Sequence, residues 1–512
     1  MSAKTPFDGD TSSTTSAAPL LSISPRKALA FSFLDRYAGL LLSVVASMIV
    51  ARLLTPAEIG VFSVAMVLLS FISAMRDFGA GQYLVQEKEL TTERIRTTWT
   101  VQLGLGLGFA LIVLAAAVPV SRFYAEPQLR DILLLLSLNF AVSPFGSLTY
   151  AWLMRELRYD KLAVMRFVGS LTGACVTVGM AWSGYGAISL AVGSLAATLA
   201  NAALATFFRP SSFPWMPGLT DVRRVLAFGG KLSLTTVLTT VASSVPELVL
   251  GKVHGMVLVG MYSRANGLAA MFNRLIQDAT HAVAMPLFAK ASREGRTLAA
   301  IFMKATSYVT ALGWSFFGVM IVLAHPMVRV LYGNQWDDSV PLVRLIAAAM
   351  AIGLPAGFCG QAMLASGAMN TLLRITLLTV LQSAALLAAG AALGLMQLGL
   401  AIVLSALVNV CIWLSMSPVM QQITKIEFGK MLLQSGGVAL ATMAASSAAF
   451  LWSADGAALQ IVRLTIGVVS AALAFLAAVF LLRHPLRMEF QQLHQLLRKR
   501  LFPAPTAKHG RS

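Results

Sequence analysis

The sequence predicts an all-α polytopic membrane protein of about 14 transmembrane helices, arranged as two six-helix lobes related by a pseudo-two-fold axis plus two C-terminal helices. Three observations lead there. Of 512 residues, 57% are hydrophobic and only 12% are charged, against roughly 45–50% and about 25% in soluble domains. The charges gather in short clusters between apolar runs of about 20 residues, the length that crosses a ~30 Å hydrocarbon core as a helix. Alternating ten-residue strands are absent from the pattern, which argues against an outer-membrane barrel.

The elements follow in order. Residues 1–27 are rich in Ser and Thr with little apolar pattern, and read as a disordered cytoplasmic tail. The first apolar run, 30–52, is longer than a signal-peptide core and lacks a clear cleavage signal, so it reads as a retained helix. Spans at 58–80, 98–120, 130–152, 163–183 and 185–207 complete a first lobe over 28–208. A basic cytoplasmic linker, 209–226, leads to a second lobe over 227–420, with spans at 227–250, 257–284, 300–323, 340–364, 372–393 and 397–419. Two further spans, 431–452 and 460–482, fill 431–482. In the basic tail 483–512, Leu486, Phe490, Leu493, Leu497 and Leu501 recur at helical spacing. That pattern predicts an amphipathic helix on the anionic phospholipids of the inner leaflet. No loop is long enough to hold a folded catalytic domain.

The two lobes are visible as a repeat. Arg52, Gly60, Phe62, Ser63 and Ala65 return as Lys252, Gly260, Tyr262, Ser263 and Ala265, each 200 positions later. Pro144, Gly146, Ala151 and Leu153 return as Pro355, Gly357, Ala362 and Leu364, at an offset of 211. Six spans separate the copies, so both start on the same side of the membrane and the axis runs along the membrane normal.

The net charge of +18 is a product of topology rather than a sign of nucleic-acid binding. With the N-terminus in the cytoplasm, 28 of the 39 Lys and Arg fall in inside segments and 7 in outside ones. This is the positive-inside pattern of an even number of spans in a bacterial inner membrane, with both termini cytoplasmic. Cys175, Cys359 and Cys411 all lie in apolar segments and form neither a disulfide framework nor a zinc site.

Ionisable groups inside spans cost about 2.5–3.5 kcal/mol on insertion scales, so they face partners or a wet cavity. Here they concentrate in spans 1, 2, 7 and 8, the equivalent first pairs of the two lobes. In span 1, Ser32, Arg36, Gly39, Ser43 and Ser47 share a helical face. Span 2 aligns Ser63, Ser70, Ser73 and Asp77. Span 7 aligns Ser233, Thr236, Thr240, Ser243 and Glu247, with Pro246 interrupting its backbone bonding. In span 8, Asn266, Asn273, Gln277 and His281 form a stripe flanked by Arg264, Arg274 and Asp278. The expected site is one hydrophilic cleft between the lobes, whose contacts are Arg36, Ser43, Asp77, Thr240, Glu247, Arg264, Asn266, Arg274 and Asp278. Helix–helix hydrogen bonding is the competing explanation for such stripes. The run Gly104-Leu105-Gly106-Leu107-Gly108 follows no strand and reads as close helix packing, not a phosphate cradle. Trp336, Asp337 and Asp338 read as turn and interface anchors. No catalytic residues, metal site or cofactor is expected.

The stretch ARLLTPAEIGVFSVAMVLLSFISAMRDFGAGQYLVQEKEL (51–90) resembles the first helical hairpin of bacterial polysaccharide flippases (Wzx-type), within the superfamily of multidrug exporters and lipid II flippases. AWLMRELRYDKL (151–162), GMYSRANGLAAMF (260–272), AVAMPLFAKAS (282–292) and VLYGNQWDDSVPLVRL (330–345) match further landmarks in order. The resemblance implies alternating access. It also implies an undecaprenyl-pyrophosphate-linked oligosaccharide as cargo and a polysaccharide polymerase or export machinery as neighbour. A drug or organic-cation antiporter of the same superfamily is the alternative. A pyrophosphate suits the planar donor fork of Arg, and sugar hydroxyls suit Ser, Thr and Asn.

Topology is checked with reporter fusions. Fusions after residues 90, 160, 220 and 295 should report cytoplasm, and fusions near 125, 254 and 335 should report periplasm; a periplasmic signal at 220 contradicts this map.

Overall fold

A chain crossing lipid must satisfy its backbone polar groups internally, and long apolar runs do so as helices. The computed structural model describes residues 25–76, 84, 91–210, 213, 217–218, 222–272, 278–450 and 457–492. Among these are seventeen α-helices and no strand. The first lobe holds α1 (Pro25–Leu53), α2 (Pro56–Arg76), α3 (Thr92–Tyr124), α4 (Pro127–Arg155), α5 (Tyr159–Trp182) and α6 (Ile188–Phe207). The second holds α7 (Val222–Val253), α8 (Met256–Phe272), α9 (Asp278–Arg293), α10 (Ala299–Val322), α11 (Ala324–Leu331), α12 (Val340–Gly353), α13 (Cys359–Ser366), α14 (Met369–Leu393) and α15 (Leu395–Met416). Two more follow, α16 (Lys425–Ser446) and α17 (Ala457–Leu481).

Ten helical stretches among the described residues are long and apolar enough to cross a membrane, so the chain is a multi-pass membrane protein. The other spans read from sequence fall on α1, α7, α8 with α9, and α16. One expected span is not a single helix: 340–364 divides into α12 and α13. Pro355 lacks an N–H for the ladder, and a 3₁₀ turn at Leu354–Ala356 replaces it. Its repeat partner Pro144 sits inside the unbroken α4.

Helix neighbours repeat between the lobes. In the first lobe α1 packs on α5, α4 on α6, α3 on α4, and α5 on α6. In the second, α7 packs on α14, α12 on α15, α10 on α12, and α14 on α15. Helices α16 and α17 lie outside this scheme and add onto α10 and α11. The turn between the first two helices of each lobe is made differently in each. Thr55 and Glu58 cap α2 reciprocally, Thr55 N donating to Glu58 Oε2 at 2.7 Å and Glu58 N donating to Thr55 Oγ1 at 3.3 Å. The second lobe instead uses Gly255 at φ +86°, in the left-handed region that glycine tolerates.

The lobes meet where α2 crosses α8. A Cβ built on Gly60 would overlap the Met256 carbonyl, and one on Gly260 would overlap the Pro56 carbonyl. One helical turn further, the Ser63 hydroxyl donates to Ser263 Oγ at 2.8 Å. Residues 200 apart in sequence thus touch each other, as a two-fold axis between the helices requires. The glycine run in α3 behaves otherwise than expected. Only Gly106 is tightly packed, against Pro144 and the Phe140 carbonyl, and nothing lies within 4 Å of a Cβ at Gly104 or Gly108.

The start of the C-terminal tail is docked on protein. Buried Leu486 and its neighbour Phe490 pack with Ala311, Val438 and Val479. The buried His484 Nε2 lies 3.1 Å from Ser307 Oγ and 3.3 Å from Ser435 Oγ, and burial pushes its pKa down to about 4, so the ring is neutral at pH 7. Glu489 pairs with Lys304 at 3.0 Å and accepts from the Tyr308 hydroxyl at 2.9 Å, which holds its carboxyl below the usual range. The described first turns therefore spend their apolar face on α10, α16 and α17 rather than on lipid. Leu493, Leu497 and Leu501 lie outside the described residues.

The α2–α8 crossing should be intolerant of a single methyl group. Gly60→Ala and Gly260→Ala should each destabilise the detergent-purified protein by ~1–3 kcal/mol, the usual cost of overpacking. Gly104→Ala, in open space, should be near neutral. Thermal unfolding of the three variants side by side checks this; equal melting temperatures would contradict the crossing.

Candidate functional site

The α2–α8 crossing brings Arg264, one residue beyond Ser263, against α1. Arg264 Nη1 donates to Ser47 Oγ at 2.8 Å, across the lobe boundary. Its guanidinium faces two aromatic rings, with Cζ 5.8 Å from the Tyr332 centroid and 5.9 Å from the Trp336 centroid. Those rings meet edge to face, 6.3 Å apart. Trp336 is fully buried, and its Nε1 donates to the Ala51 carbonyl at 2.9 Å. Arg264 Nε is buried without a hydrogen-bond acceptor, and no carboxylate among the described residues pairs with this side chain. A cation held by one hydroxyl and two ring faces is only partly compensated for the hydration it gives up.

One cavity adjoins this cation, and a second continues from it along the lobe boundary. One, of about 390 Å³, is lined by Ser47, Ser63, Thr177, Ser263 and Arg264 among others. The second, of about 330 Å³, is lined by Ser70, Ser73, Asn139, Ser194 and Thr240. Met66 borders both. Asn139 Nδ2 donates to Ser194 Oγ at 3.1 Å, and its Oδ1 is buried with no partner among the described residues. The result is a row of hydroxyls and one amide leading to a single guanidinium: donors and acceptors for sugar hydroxyls, and a fork for an anion.

The residues expected from sequence are distributed unevenly. Arg264 and Thr240 line these cavities. Ser43 is exposed on α1 and Asn266 half-buried on α8, and neither lines either of these two cavities. Glu247 is buried, its Oε2 has no hydrogen-bond partner among the described residues, and it lines neither of these cavities. The side chains of Arg36 and Asp278, and residues Asp77 and Arg274, lie outside the described residues. Sequence reading missed Tyr332 and, on α4, α5 and α6, Asn139, Thr177 and Ser194, and it read Trp336 as a turn and interface anchor. The missed signal for Tyr332 and Trp336 was their place in the stretch 330–345, where a Trp stands beside a Gly turn that folds it inward.

On the face assigned to the periplasm, hydrogen bonds between described residues cluster across the lobe boundary. Gln335 Nε2 donates to the Ala51 and Leu54 carbonyls at 2.6 and 3.1 Å. Arg52 Nη2 donates to the Val330 carbonyl at 2.6 Å, at the C-terminal end of α11. Its repeat partner Lys252 donates crosswise to the Phe123 carbonyl at the C-terminal end of α3. A cation on the exposed carbonyls of a helix C-terminus is favourable on both counts of charge and hydrogen bonding. These bonds form a rim that joins the two lobes beside the Tyr332–Trp336 layer.

Known proteins share the sequence and the fold. WzxC, a lipopolysaccharide biosynthesis protein of Escherichia coli (strain K12), is 24% identical over 60% of this chain and 62% of its own length. ExoT, a succinoglycan biosynthesis transport protein of Rhizobium meliloti (strain 1021), is 25% identical over 60% of this chain and 62% of its own. The chain thus aligns with somewhat under two thirds of either relative. Among solved structures, the lipid II flippase MurJ in an inward closed conformation matches with a TM-score of 0.67 at 14% identity, over 88% of this chain and 98% of that one. That match establishes a shared fold. A family model described as polysaccharide biosynthesis protein matches residues 49–341, more than half of the sequence. Its matched range takes in the α2–α8 crossing, Arg264 and the Tyr332–Trp336 layer, and the chain belongs to this family of polysaccharide biosynthesis proteins.

Proposed function

We propose that the chain is a flippase that carries an undecaprenyl-pyrophosphate-linked oligosaccharide repeat unit from the cytoplasmic to the periplasmic leaflet by alternating access. The observation that carries this reading is Arg264: a guanidinium in the membrane interior, without a carboxylate among the described residues, at the end of a hydroxyl-lined cleft. The family, the transport role printed for ExoT and the MurJ-like fold support it. In this reading the saccharide enters from the cytoplasm, and its hydroxyls exchange water for Ser, Thr and Asn partners. The pyrophosphate completes the open donors of Arg264, and the polyprenyl tail stays in lipid. The cargo leaves chemically unchanged. Return to the outward side requires the rim bonds of Arg52, Gln335 and Trp336 to break together while α2 and α8 part.

The alternative, an organic-cation antiporter, fits the site less well. A cationic cargo needs a carboxylate to meet it, whereas the described cleft presents Arg264, and Glu247 lies off the cavities.

Arg264→Ala should cut polysaccharide export on the order of 10- to 100-fold at normal protein abundance, because charged hydrogen bonds are worth about 1.5–3 kcal/mol each. Arg264→Lys should restore only part of it, since a point charge cannot reproduce the fork. Surface polysaccharide in a complemented deletion strain, with immunoblotting for the protein, measures both. Full export in Arg264→Ala would remove the cationic-cleft account.

A further inference from the structure

The Tyr332–Trp336 layer has an outer side. Beyond Tyr332, on the face assigned to the periplasm, lies a cavity of about 680 Å³, within the ~300–1,000 Å³ typical of small-molecule sites. Three parts of the chain wall it: Arg52 at the end of α1, residues 329–335 from the last turn of α11 into the connection to α12, and Gln460 and Ile461 at the start of α17. It is separate from the two cleft cavities, with which it shares no lining residue.

Its chemistry is specific. Gln460 is 6% exposed, and its Oε1 has no hydrogen-bond partner among the described residues. An unsatisfied buried amide is costly, so a group that completes it is favoured. Gln335 spends its N–H donors on Ala51 and Leu54, which leaves its carbonyl oxygen as an acceptor. Arg329 is neutralised by Asp337 at 2.7 Å. Arg52 is not neutralised: its hydrogen bond goes to the Val330 carbonyl, and no carboxylate among the described residues pairs with it. The cavity therefore offers one guanidinium without a carboxylate partner among the described residues and side-chain amides that donate and accept, beside apolar surface from Val330, Tyr332 and Ile461.

We propose that this cavity binds a short saccharide bearing a carboxylate, on the exit side of the closed rim. The Arg52 fork takes the carboxylate, and Gln460, Gln335 and Asn334 take hydroxyls. The site rests on the flippase reading only for the source of its ligand, the sugar head that has just crossed. Because Arg52 belongs to the first lobe, 329–335 to the second and Gln460 to α17, an occupied site ties all three together. It gives the last helix, which lies outside the twelve-span repeat, a part in the exit step.

Calorimetry on the purified full-length protein in lipid nanodiscs tests this, with cellobiouronic acid (glucuronyl-β-1,4-glucose) as probe and cellobiose and inorganic pyrophosphate as comparisons. The acidic disaccharide should bind saturably, and cellobiose on the order of 10-fold more weakly. Arg52→Ala and Gln460→Ala should each weaken the acidic probe by a similar factor, and Arg52→Lys by less. No saturable binding, an affinity indifferent to Arg52 and Gln460, or tighter binding of pyrophosphate at the same residues would overturn the proposal. The measurement needs no transport, so its failure leaves the Arg264 export result standing, and failure of the export result leaves this one standing.

Discussion

The fold turns on the contact of two glycines. Gly60 and Gly260 let α2 and α8 approach until each backbone occupies the space of the other's missing side chain. Everything in the site is registered from that crossing. Ser63 meets Ser263 one turn along, and Arg264 next to it reaches Ser47 on α1. The segment 334–339 then lies close enough to the end of α1 for Trp336 and Gln335 to share the Ala51 carbonyl. A larger residue at either glycine would push the lobes apart and loosen all of these bonds together. In lipid no hydrophobic force drives helices together, so close backbone approach and interhelical hydrogen bonds supply the association. The same bonds are few enough to be broken in one step, as the proposed alternating access requires.

The placement of charge follows from this geometry. Cations at the rim, Arg52 and Lys252, sit on helix C-terminal carbonyls and serve closure. The cation beneath the rim, Arg264, has no such partner beyond Ser47 and the aromatic faces. Repeat-related positions have thus diverged where function differs. Arg52 and Lys252 keep one role in both lobes, while Arg264 has no basic counterpart at its equivalent position in the first lobe, which is Val64, fully buried.

Much of this was legible in the sequence. The spans were legible because an apolar run of membrane length has one stable solution, and the two-fold because equivalent residues kept their identity at the axis. Arg264 and Thr240 were found because polar residues in a span stand out against it. The break at Pro355 was obscured because its repeat partner Pro144 is accommodated within a continuous helix; proline permits both outcomes, and packing decides. Helical-face reasoning put Ser43 and Ser47 on one face and named Ser43 as the contact, yet it is Ser47 that accepts from Arg264. A stripe fixes which way side chains point and says nothing about depth. Tyr332 was missed, and Trp336 read as an anchor, for a different reason. Their burial depends on a short segment turning back between two lobes, a tertiary event without a periodic signature. The first turns of the C-terminal tail illustrate the same limit, since an amphipathic face can be spent on protein as readily as on lipid.

The central claim is that a lipid-linked saccharide crosses the membrane through this cleft unaltered. The most direct measurement deletes the chain from its host and assays lipid-linked repeat units in spheroplasts with a membrane-impermeant glycan-binding probe, before and after permeabilisation. The account predicts completed repeat units that the probe reaches only after permeabilisation. Repeat units accessible on the outer leaflet of intact spheroplasts at the normal rate, with no second flippase present, would contradict it.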